Sequence, residues 1–335
     1  SRAALGAPAA LARLALSGLA PAAAVARLVF RAEPAAALYA GCAAHSFLPL
    51  GRPLTSGFAL VLLALGHAVG WPAPAGGAQR LADALAEHLR QLGGVVETGR
   101  EVRSLRDLPA ARAVLLDLTP RQATAVAGDA FPPRYRRRLA RWRYGPAAFK
   151  VDYALHAPPP WRAPACARAA VVHVGGSWRE IAHAEAEVAR GRAPERPFVL
   201  VGQPTVADPG RAPSGAHVLW AYTHVPLGWR GDATAAIEAQ LERFAPGFGE
   251  VVRTRRVLGP AELEAGNANL VGGDIAGGSH GGLQLLARPT LTPGPYRTPN
   301  PRIFLCSAST PPGAGVHGMC GHQAALAALA GPLRD

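Results

Sequence analysis

Three glycines near the end of the chain have a spacing that suits close approach to a flat or phosphate-bearing ligand. Gly313, Gly315 and Gly318 spell G-x-G-x-x-G and follow the apolar run 302–306. Such glycines allow a tight turn, and a helix after them points free N–H groups at the ligand. His317 and Cys320 accompany the turn and add an imidazole and a thiol to the available chemistry.

This glycine motif lacks part of a complete dinucleotide-binding unit. A complete unit continues from its helix into a second strand with an acidic ribose ligand. After Gly318 the sequence suffices for a helix over 319–330, and the only acid there is Asp335. We therefore expect the last strand, loop and helix of a sheet whose nucleotide site other segments complete.

The first 120 residues predict helices followed by strands. Prolines divide residues 1–70 into two or three helices, and the run 58–69 predicts a buried helix, with membrane-surface contact as the alternative. A later helix carries leucines on one face, and Gly93-Gly94 ends it. Strands are expected at 95–96, from Val102, and over 113–118, where the continuous apolar run indicates a sheet covered on both faces.

Between residues 121 and 300 the pattern changes to spaced strands and helices. Strands are predicted over 149–155, 170–174, 198–201 and 218–223. A helix over 178–190 begins with a capping box formed by Ser177 and Glu180. Another helix places Ile237, Leu241 and Phe244 on one face. These elements predict an α+β domain inserted into a nucleotide-binding one.

The basic composition carries little functional information. The net charge is +13, but Lys150 is the only lysine among the 35 basic residues, which indicates a compositional bias toward arginine. The segment 134–144 mixes arginines with aromatics, a pattern that also suits single-stranded nucleic acid. A solvated helix face is the preferred interpretation, and we predict no nucleic-acid partner.

The spacing of cysteines and other possible metal ligands indicates the cellular compartment and whether the chain holds a metal ion. The four cysteines form no C-x-x-C pair and no zinc spacing, which favours free thiols in a reducing, cytoplasmic compartment. Asp274 and His280 lie in the glycine-rich segment 272–282, but two ligands are too few for a metal site. We therefore predict no metal and interpret this segment as a loop near a substrate pocket.

Several segments taken in order resemble a known enzyme superfamily. Residues 74–77 with the leucine helix, 95–102 with the strand to Thr119-Pro120, and the terminal loop resemble the FAD-dependent phytoene desaturase and amine oxidase superfamily. The phytoene desaturase-like branch is the most similar. Further support comes from 116–122, 144–152, 259–264, 272–278, Gln284, Arg288-Pro289 and 296–299.

The resemblance implies an α/β fold with a discontinuous, glutathione-reductase-like FAD-binding domain and an inserted α+β substrate domain. Residues 1–70 would be the helical part of the substrate domain, 71–120 an FAD-domain segment, 121–300 the substrate domain and 301–335 the final FAD-domain segment. Nothing before Ala35 matches the first βαβ lobe of the superfamily. The resemblance therefore predicts a copy without that lobe, and weak or absent FAD binding by this chain alone.

The resemblance also implies a reaction and a set of site residues. It predicts hydride transfer from an apolar small molecule to FAD, with peripheral membrane contact open for a polyisoprenoid substrate. His317 is the catalytic candidate, and a structural hydrogen-bonding role is the alternative. Cys320 lies at the start of the helix, a position that can activate a thiol, and the alternative is that it is buried and inert. The implied cofactor contacts are Gly76, Gly77, Val102, Thr119, Pro120, Ser307, Pro312, Gly313, Gly315, Val316, Gly318, Met319 and Cys320.

A different class of function stays open beside the enzyme. A chain without the first lobe could be a cofactor-free interaction module or pseudoenzyme that keeps only the scaffold. Flavin binding separates the two hypotheses.

Overall fold

The computed structural model describes Ala12 and residues 16–334, which form a mixed α/β fold. Two compact units are present. Unit 1 comprises the described residues of Ser1–Val96 together with Ala148–Pro226 and Arg230–Gly259; unit 2 comprises Glu97–Ala147, Leu227–Trp229 and the described residues of Pro260–Asp335. The beginning of the predicted alanine- and leucine-rich helix and Asp335 lie outside the described residues.

The helices alternate with short strands along the chain. The α-helices are α1 (Ala22–Leu28), α2 (Glu33–Ala44), α3 (Thr55–Val69), α4 (Gln79–Gln91), α5 (Pro120–Ala127), α6 (Pro133–Leu139), α7 (Pro164–Ala167), α8 (Trp178–Ala189), α9 (Pro204–Ala207), α10 (Thr234–Phe244), α11 (Phe248–Val251), α12 (Pro260–Gly266) and α13 (Met319–Leu329). The strands are β1 (Val114–Leu116), β2 (Ala147–Leu155), β3 (Val171–Val174), β4 (Val199–Gly202), β5 (His217–Val225), β6 (Val252–Leu258) and β7 (Ile303–Leu305).

A five-stranded sheet organises unit 1. Its strand order is β3-β4-β5-β2-β6, and the pairs β3/β4, β4/β5 and β2/β6 are antiparallel. The four strands predicted between 149 and 223 are all confirmed. The edge strand β6 was not predicted, because its arginine-rich sequence lacks apolar alternation and its side chains are largely exposed.

Helices α2, α3 and α8 contribute to a buried apolar cluster of unit 1 that includes Tyr39, Leu50, Ile181 and Phe198. The capping box that begins α8 is confirmed: the Glu180 N–H donates to Ser177 Oγ, and the Ser177 N–H donates to Glu180 Oε2. Helix α10 also forms as predicted, with Ile237 and Leu241 fully buried.

Two predictions for unit 1 require correction. Only the first turns of α3 contain buried residues, whereas Val61 is 56% and Val69 is 71% exposed, so a fully buried helix was wrong. Residues 95–96 form no strand, and Val95 is 79% exposed. A strand requires a hydrogen-bonding neighbour, and no strand of the described chain pairs with this segment.

Unit 2 is built around a parallel pair of strands. Strand β1 pairs with β7 in the register Val114↔Ile303 and Leu116↔Leu305. Both strands pack into a cluster with Phe131 and Leu139. The strand predicted from Val102 is absent, since that residue lies in irregular chain. The expectation for 113–118 was half right: Leu116 is buried, but Leu115 is 38% exposed.

Candidate functional site

The carboxyl ends of β1 and β7 lie at the same edge of unit 2. The Cys306 N–H donates to the Leu116 carbonyl oxygen at 3.0 Å, which continues the parallel ladder beyond β7. Parallel strands bring their following loops together at one edge, where ligands bind in open α/β sheets. Thr119-Pro120 and the loop that begins at Ser307 therefore share this edge, as the sequence predicted for members of one site.

Partly buried hydrogen bonds fix the segment after β1. The Thr119 N–H donates to Asn269 Oδ1 at 2.9 Å, and the Tyr144 hydroxyl donates to Thr119 Oγ1 at 3.1 Å. Pro120 occupies the first turn of α5, where the absent N–H of proline costs nothing. Both residues are buried and therefore form a rigid wall at the edge.

Buried hydroxyls anchor the first half of the glycine-rich loop, residues 307–318. The Thr310 N–H and hydroxyl both donate to the Ser307 carbonyl, at 2.9 and 2.8 Å. The Ser309 hydroxyl donates to the Gly277 carbonyl at 2.6 Å. These three polar side chains are at most 4% exposed, so the start of the loop is internal and well connected.

The second half of the loop is presented at the surface except for Gly313, which is buried. Gly313, Gly315 and Gly318 have φ values of 109°, 151° and 64°, a region that L side chains rarely adopt. Val316 is 93% exposed, while Pro312 and Met319 are also exposed. The spacing G-x-G-x-x-G thus reflects three backbone positions that favour glycine, in a loop open to a ligand.

His317 uses both ring nitrogens within this loop. Its Nε2 lies 3.2 Å from the Gly313 carbonyl, and its Nδ1 accepts the Met319 N–H at 3.0 Å. A neutral imidazole protonated at Nε2 satisfies both bonds. This geometry favours the structural alternative, in which His317 closes the loop and caps α13, and its catalytic role stays a prediction.

The two thiols of the site are Cys320, which is buried, and Cys306, which is partly buried. Cys320 Sγ lies 3.6 Å from the carbonyl oxygens of Thr310 and Gly313, which suits an inert thiol in the first turn of α13. Burial, together with the nearby charge of Asp117, raises the pKa of the Cys306 thiol to about 12. Cys306 is thus protonated at neutral pH and is a poor nucleophile.

The sequence interpretation missed a buried arginine beneath the loop. Arg288 is 1% exposed, donates from Nη2 to the Ala308 carbonyl at 3.0 Å, and lies with Cζ 5.2 Å from the ring centroid of Trp142. Burial lowers the pKa of Arg288 to about 10, an effect that Asp274 partly offsets. The side chain therefore stays charged at neutral pH. The sequence marked Arg288-Pro289 only as part of the family resemblance and gave the side chain no role.

Asp274 holds the neighbouring backbone rather than a metal. Its Oδ2 accepts the Gly145 N–H at 2.8 Å, and its Oδ1 accepts the Ala276 N–H at 2.7 Å. Burial raises the pKa of this carboxyl. Within the described part of the chain, no group of three histidine, cysteine or acidic residues is arranged to hold a metal ion.

Three other residues were predicted to contact the cofactor, namely Gly76, Gly77 and Val102. Gly76 and Gly77 belong to unit 1, where the Gly76 N–H donates to Asp208 Oδ2 at 2.7 Å and Gly77 lies against the Arg211 guanidinium. Val102 is half-buried in unit 2. Their assignment to a cofactor stays a prediction.

Unit 1 contains a histidine cluster that the sequence did not indicate, in which His224 is buried and His45 and His173 are partly buried. His45 Nε2 lies 3.1 Å from His173 Nε2, and His224 Nδ1 lies 2.8 Å from Glu185 Oε1. His224 stacks against Phe47 with ring centroids 3.9 Å apart. These residues come from distant parts of the sequence and show no motif spacing.

Sequence comparison identifies relatives of the chain. The rat protein named pyridine nucleotide-disulfide oxidoreductase domain-containing protein 2 is 28% identical over 262 residues, which covers 70% of this chain and 43% of the relative. The chain is similar to this oxidoreductase. The mouse protein of the same name shows the same identity and coverage, and the resemblance predicted from the sequence is confirmed. The chain spans less than half the length of these curated relatives. No protein-family model matches it.

Solved structures support the fold. An oxidoreductase from Methanosarcina mazei superposes with a TM-score of 0.58 at 16% identity, covering 94% of this chain and 68% of that one. A redesigned double mutant of putrescine oxidase gives a TM-score of 0.54 at 16% identity, covering 93% and 68%. The chain therefore has a mixed α/β fold similar to the folds of these two proteins. Among the described helices, none has the length and apolar character needed to cross a membrane.

Proposed function

We propose that this chain forms part of an FAD-dependent oxidoreductase that takes a hydride from an apolar small molecule. The observation that carries the proposal is the exposed glycine-rich loop between β7 and α13, at the edge where β1 also ends. In this proposal, unit 2 contributes a discontinuous part of the FAD domain.

The residues at this edge fit a flavin. The loop glycines carry no Cβ atoms that would keep a flat ring away from the backbone, and Val316 and Met319 are exposed beside them. Helix α13 has no acidic residue in its first turn, and the neutral His317 ring accepts only its Met319 N–H, so its N-terminus offers positive potential to the oxygen-bearing edge of the ring. Such a contact stabilises negative charge by ~0.3 to 1 kcal/mol when exposed and ~2 kcal/mol when partly buried.

The protein would supply position and electrostatics for the reaction. FAD, when bound, supplies the hydride acceptor. The wall formed by Thr119, Pro120 and Ser307 would limit where the ring can lie, and His317 would hold the loop against α13. Fixed geometry of this kind lowers the entropic cost of bringing donor and acceptor together. His317 is the residue best placed in the loop to exchange a proton, after release of its bond to Gly313.

The proposal also includes a class of substrate and a cellular location. The names of the relatives identify them as oxidoreductases, and the phytoene desaturase-like resemblance favours an apolar donor such as a polyisoprenoid. The partly exposed apolar side of α3 supports contact with a hydrophobic compound or a membrane surface. The four cysteines are free thiols, which supports a reducing, cytoplasmic setting.

Flavin absorbance tests the proposal directly. The chain and a form extended to the length of its curated relatives are purified side by side and titrated with FAD. We expect a bound-flavin spectrum from the extended form, weak or no binding by the shorter chain, and bleaching of the bound flavin by an apolar donor without oxygen. If neither form binds FAD, the flavin assignment is wrong.

A cofactor-free interaction module is the second candidate, and helix α4 favours it. The helix contains no buried residue, although Leu81, Leu85 and Leu89 repeat on one face and are 43%, 65% and 45% exposed. An apolar helix face of this kind is typical of a protein contact. The module hypothesis predicts a stable complex with a partner protein by a chain that binds no flavin.

A further inference from the structure

Arg288 is a buried cation that the proposed flavin contacts do not use. We propose that it forms a binding site for a negatively charged oxygen ligand of the phosphate class, beneath the glycine-rich loop. The site does not depend on the flavin proposal, because a free inorganic oxyanion and a phosphate group of a dinucleotide offer the same chemistry.

The donors of Arg288 are only partly used. Its Nη2 donates to the Ala308 carbonyl, but Nε and Nη1 have no hydrogen-bond partner among the described residues. The side chain is nevertheless 1% exposed. Buried guanidinium N–H groups normally find acceptors, because leaving them unpaired costs free energy. The unpaired nitrogens therefore indicate an acceptor that the protein itself does not supply.

The nearest carboxyl group does not complete the site. Asp274 influences Arg288 electrostatically, but no carboxylate oxygen of the described chain lies within 4.0 Å of the guanidinium nitrogens. The Asp274 oxygens accept backbone N–H groups of Gly145 and Ala276. A buried charge without a direct ion pair is costly, so an external anion would remove a penalty that the folded chain carries.

A second source of positive potential lies beside the same loop residue. A Cβ added at Gly313 would lie 3.8 Å from Arg288 Nε, and the Gly313 carbonyl lies 3.6 Å from Cys320 Sγ in the first turn of α13. The guanidinium and the N-terminus of an 11-residue helix thus both adjoin Gly313. Helix N-termini and arginine forks are both suited to phosphate oxygens.

Thermal unfolding at constant ionic strength tests this site with three probes: inorganic phosphate, ADP and FAD, with sodium chloride as the ionic control. We expect at least one of the three probes to raise the melting temperature of the wild-type chain saturably. Arg288→Met should weaken the apparent affinity at least tenfold. Arg137→Met removes an exposed arginine of the same unit and should leave the response unchanged.

The unliganded variant separates a binding role from a structural one. Methionine fills similar space without a charge, so for a binding residue Arg288→Met without ligand should melt no lower than the wild type. A structural arginine predicts the reverse: a lower melting temperature with the ligand response intact. Arg288→Lys keeps the charge but not the fork, and should retain part of the response.

The probes also show whether the ligand is a free oxyanion or a nucleotide phosphate, and they test the anion site separately from the flavin proposal. A response to phosphate that Arg288→Met loses, without a response to FAD, supports the site and leaves the flavin proposal to the titration of the extended form. If Arg288→Met responds as the wild type does to every probe that stabilises the wild type, the site is overturned, whereas FAD binding by the extended form supports the flavin proposal in either case. No wild-type response to any probe also overturns it. If the Arg288 variants do not fold, crystals of the wild type soaked in selenate decide: an anomalous peak within hydrogen-bond distance of Nε or Nη1 supports the site, and its absence there overturns it.

Discussion

His45 and His173 share a hydrogen bond inside unit 1, with their Nε2 atoms 3.1 Å apart. One ring must donate and the other accept, so the bond requires that at least one imidazole be unprotonated at Nε2. Burial lowers the pKa of His45 to about 3, with further lowering by His173 and His224, and burial lowers the pKa of His173 to about 4. Both rings are therefore neutral in the folded protein near neutral pH.

This pair predicts loss of stability in mild acid. In the unfolded chain both histidines titrate near 6.5, so unfolding takes up protons below that pH. Their contribution is fully present above pH 6.5 and falls as the pH drops toward the folded values of about 4 and 3. The slope approaches about 1.4 kcal/mol per pH unit for each proton. Urea unfolding between pH 7.5 and 4.5 measures it.

Two variants identify the histidines responsible. His173→Gln removes one of the two titrating rings, so the pH dependence of the unfolding free energy in acid should become shallower by about one proton. His88→Gln changes an exposed histidine of the same unit and should leave the slope as it is. An unchanged slope in His173→Gln would contradict the assignment.

The capping box of α8 predicts a measurable cost for a small substitution. Ser177→Ala removes the oxygen that accepts the Glu180 N–H and should lower the free energy of unfolding by about 1 kcal/mol. Ser214 is exposed and lies in a turn outside any helix, so Ser214→Ala should change the free energy of unfolding by less than ~0.5 kcal/mol. Equal effects in chemical denaturation would argue against the cap.

Two glycine-to-alanine substitutions should change stability in opposite directions, because one introduces backbone strain and the other raises helix propensity. Gly313 has φ of 109°, so Gly313→Ala should destabilise the loop by about 1 to 3 kcal/mol and weaken FAD binding where the flavin proposal holds. Gly321 lies within α13 with no atom within 4 Å of an added Cβ, and Gly321→Ala should stabilise the chain by up to about 1 kcal/mol. Calorimetry on both variants gives the two signs, and destabilisation by Gly321→Ala would refute this account.

Two leucines with similar sequence patterns should respond differently to truncation. Leu241 is fully buried, and Leu241→Ala should cost about 2 to 5 kcal/mol. Leu85 is 65% exposed in α4, and Leu85→Ala should stay within about 0.5 kcal/mol of the wild type. A large cost for Leu85→Ala in urea unfolding would show that the α4 face is already covered in solution.

The sequence by itself determined the local elements and the family resemblance. Periodicity and caps predicted α8, α10, α13 and most strands, because such signals arise from neighbours along the chain. The glycine spacing at 313–318 predicted the loop, since each position requires an unusual backbone angle. The resemblance, which is confirmed, also predicted that the terminal strand, loop and helix belong to a larger cofactor site.

Only the tertiary structure decided which side chains meet and which faces are covered. Arg288 beneath Gly313 and the pair His45 and His173 depend on contacts between distant segments, and no local pattern encodes such distances. The leucine face of α4 and the valines at 95–96 have the patterns of packed elements, yet they are exposed in unit 1. Burial and strand formation depend on a partner surface, which periodicity shows to be needed but cannot supply.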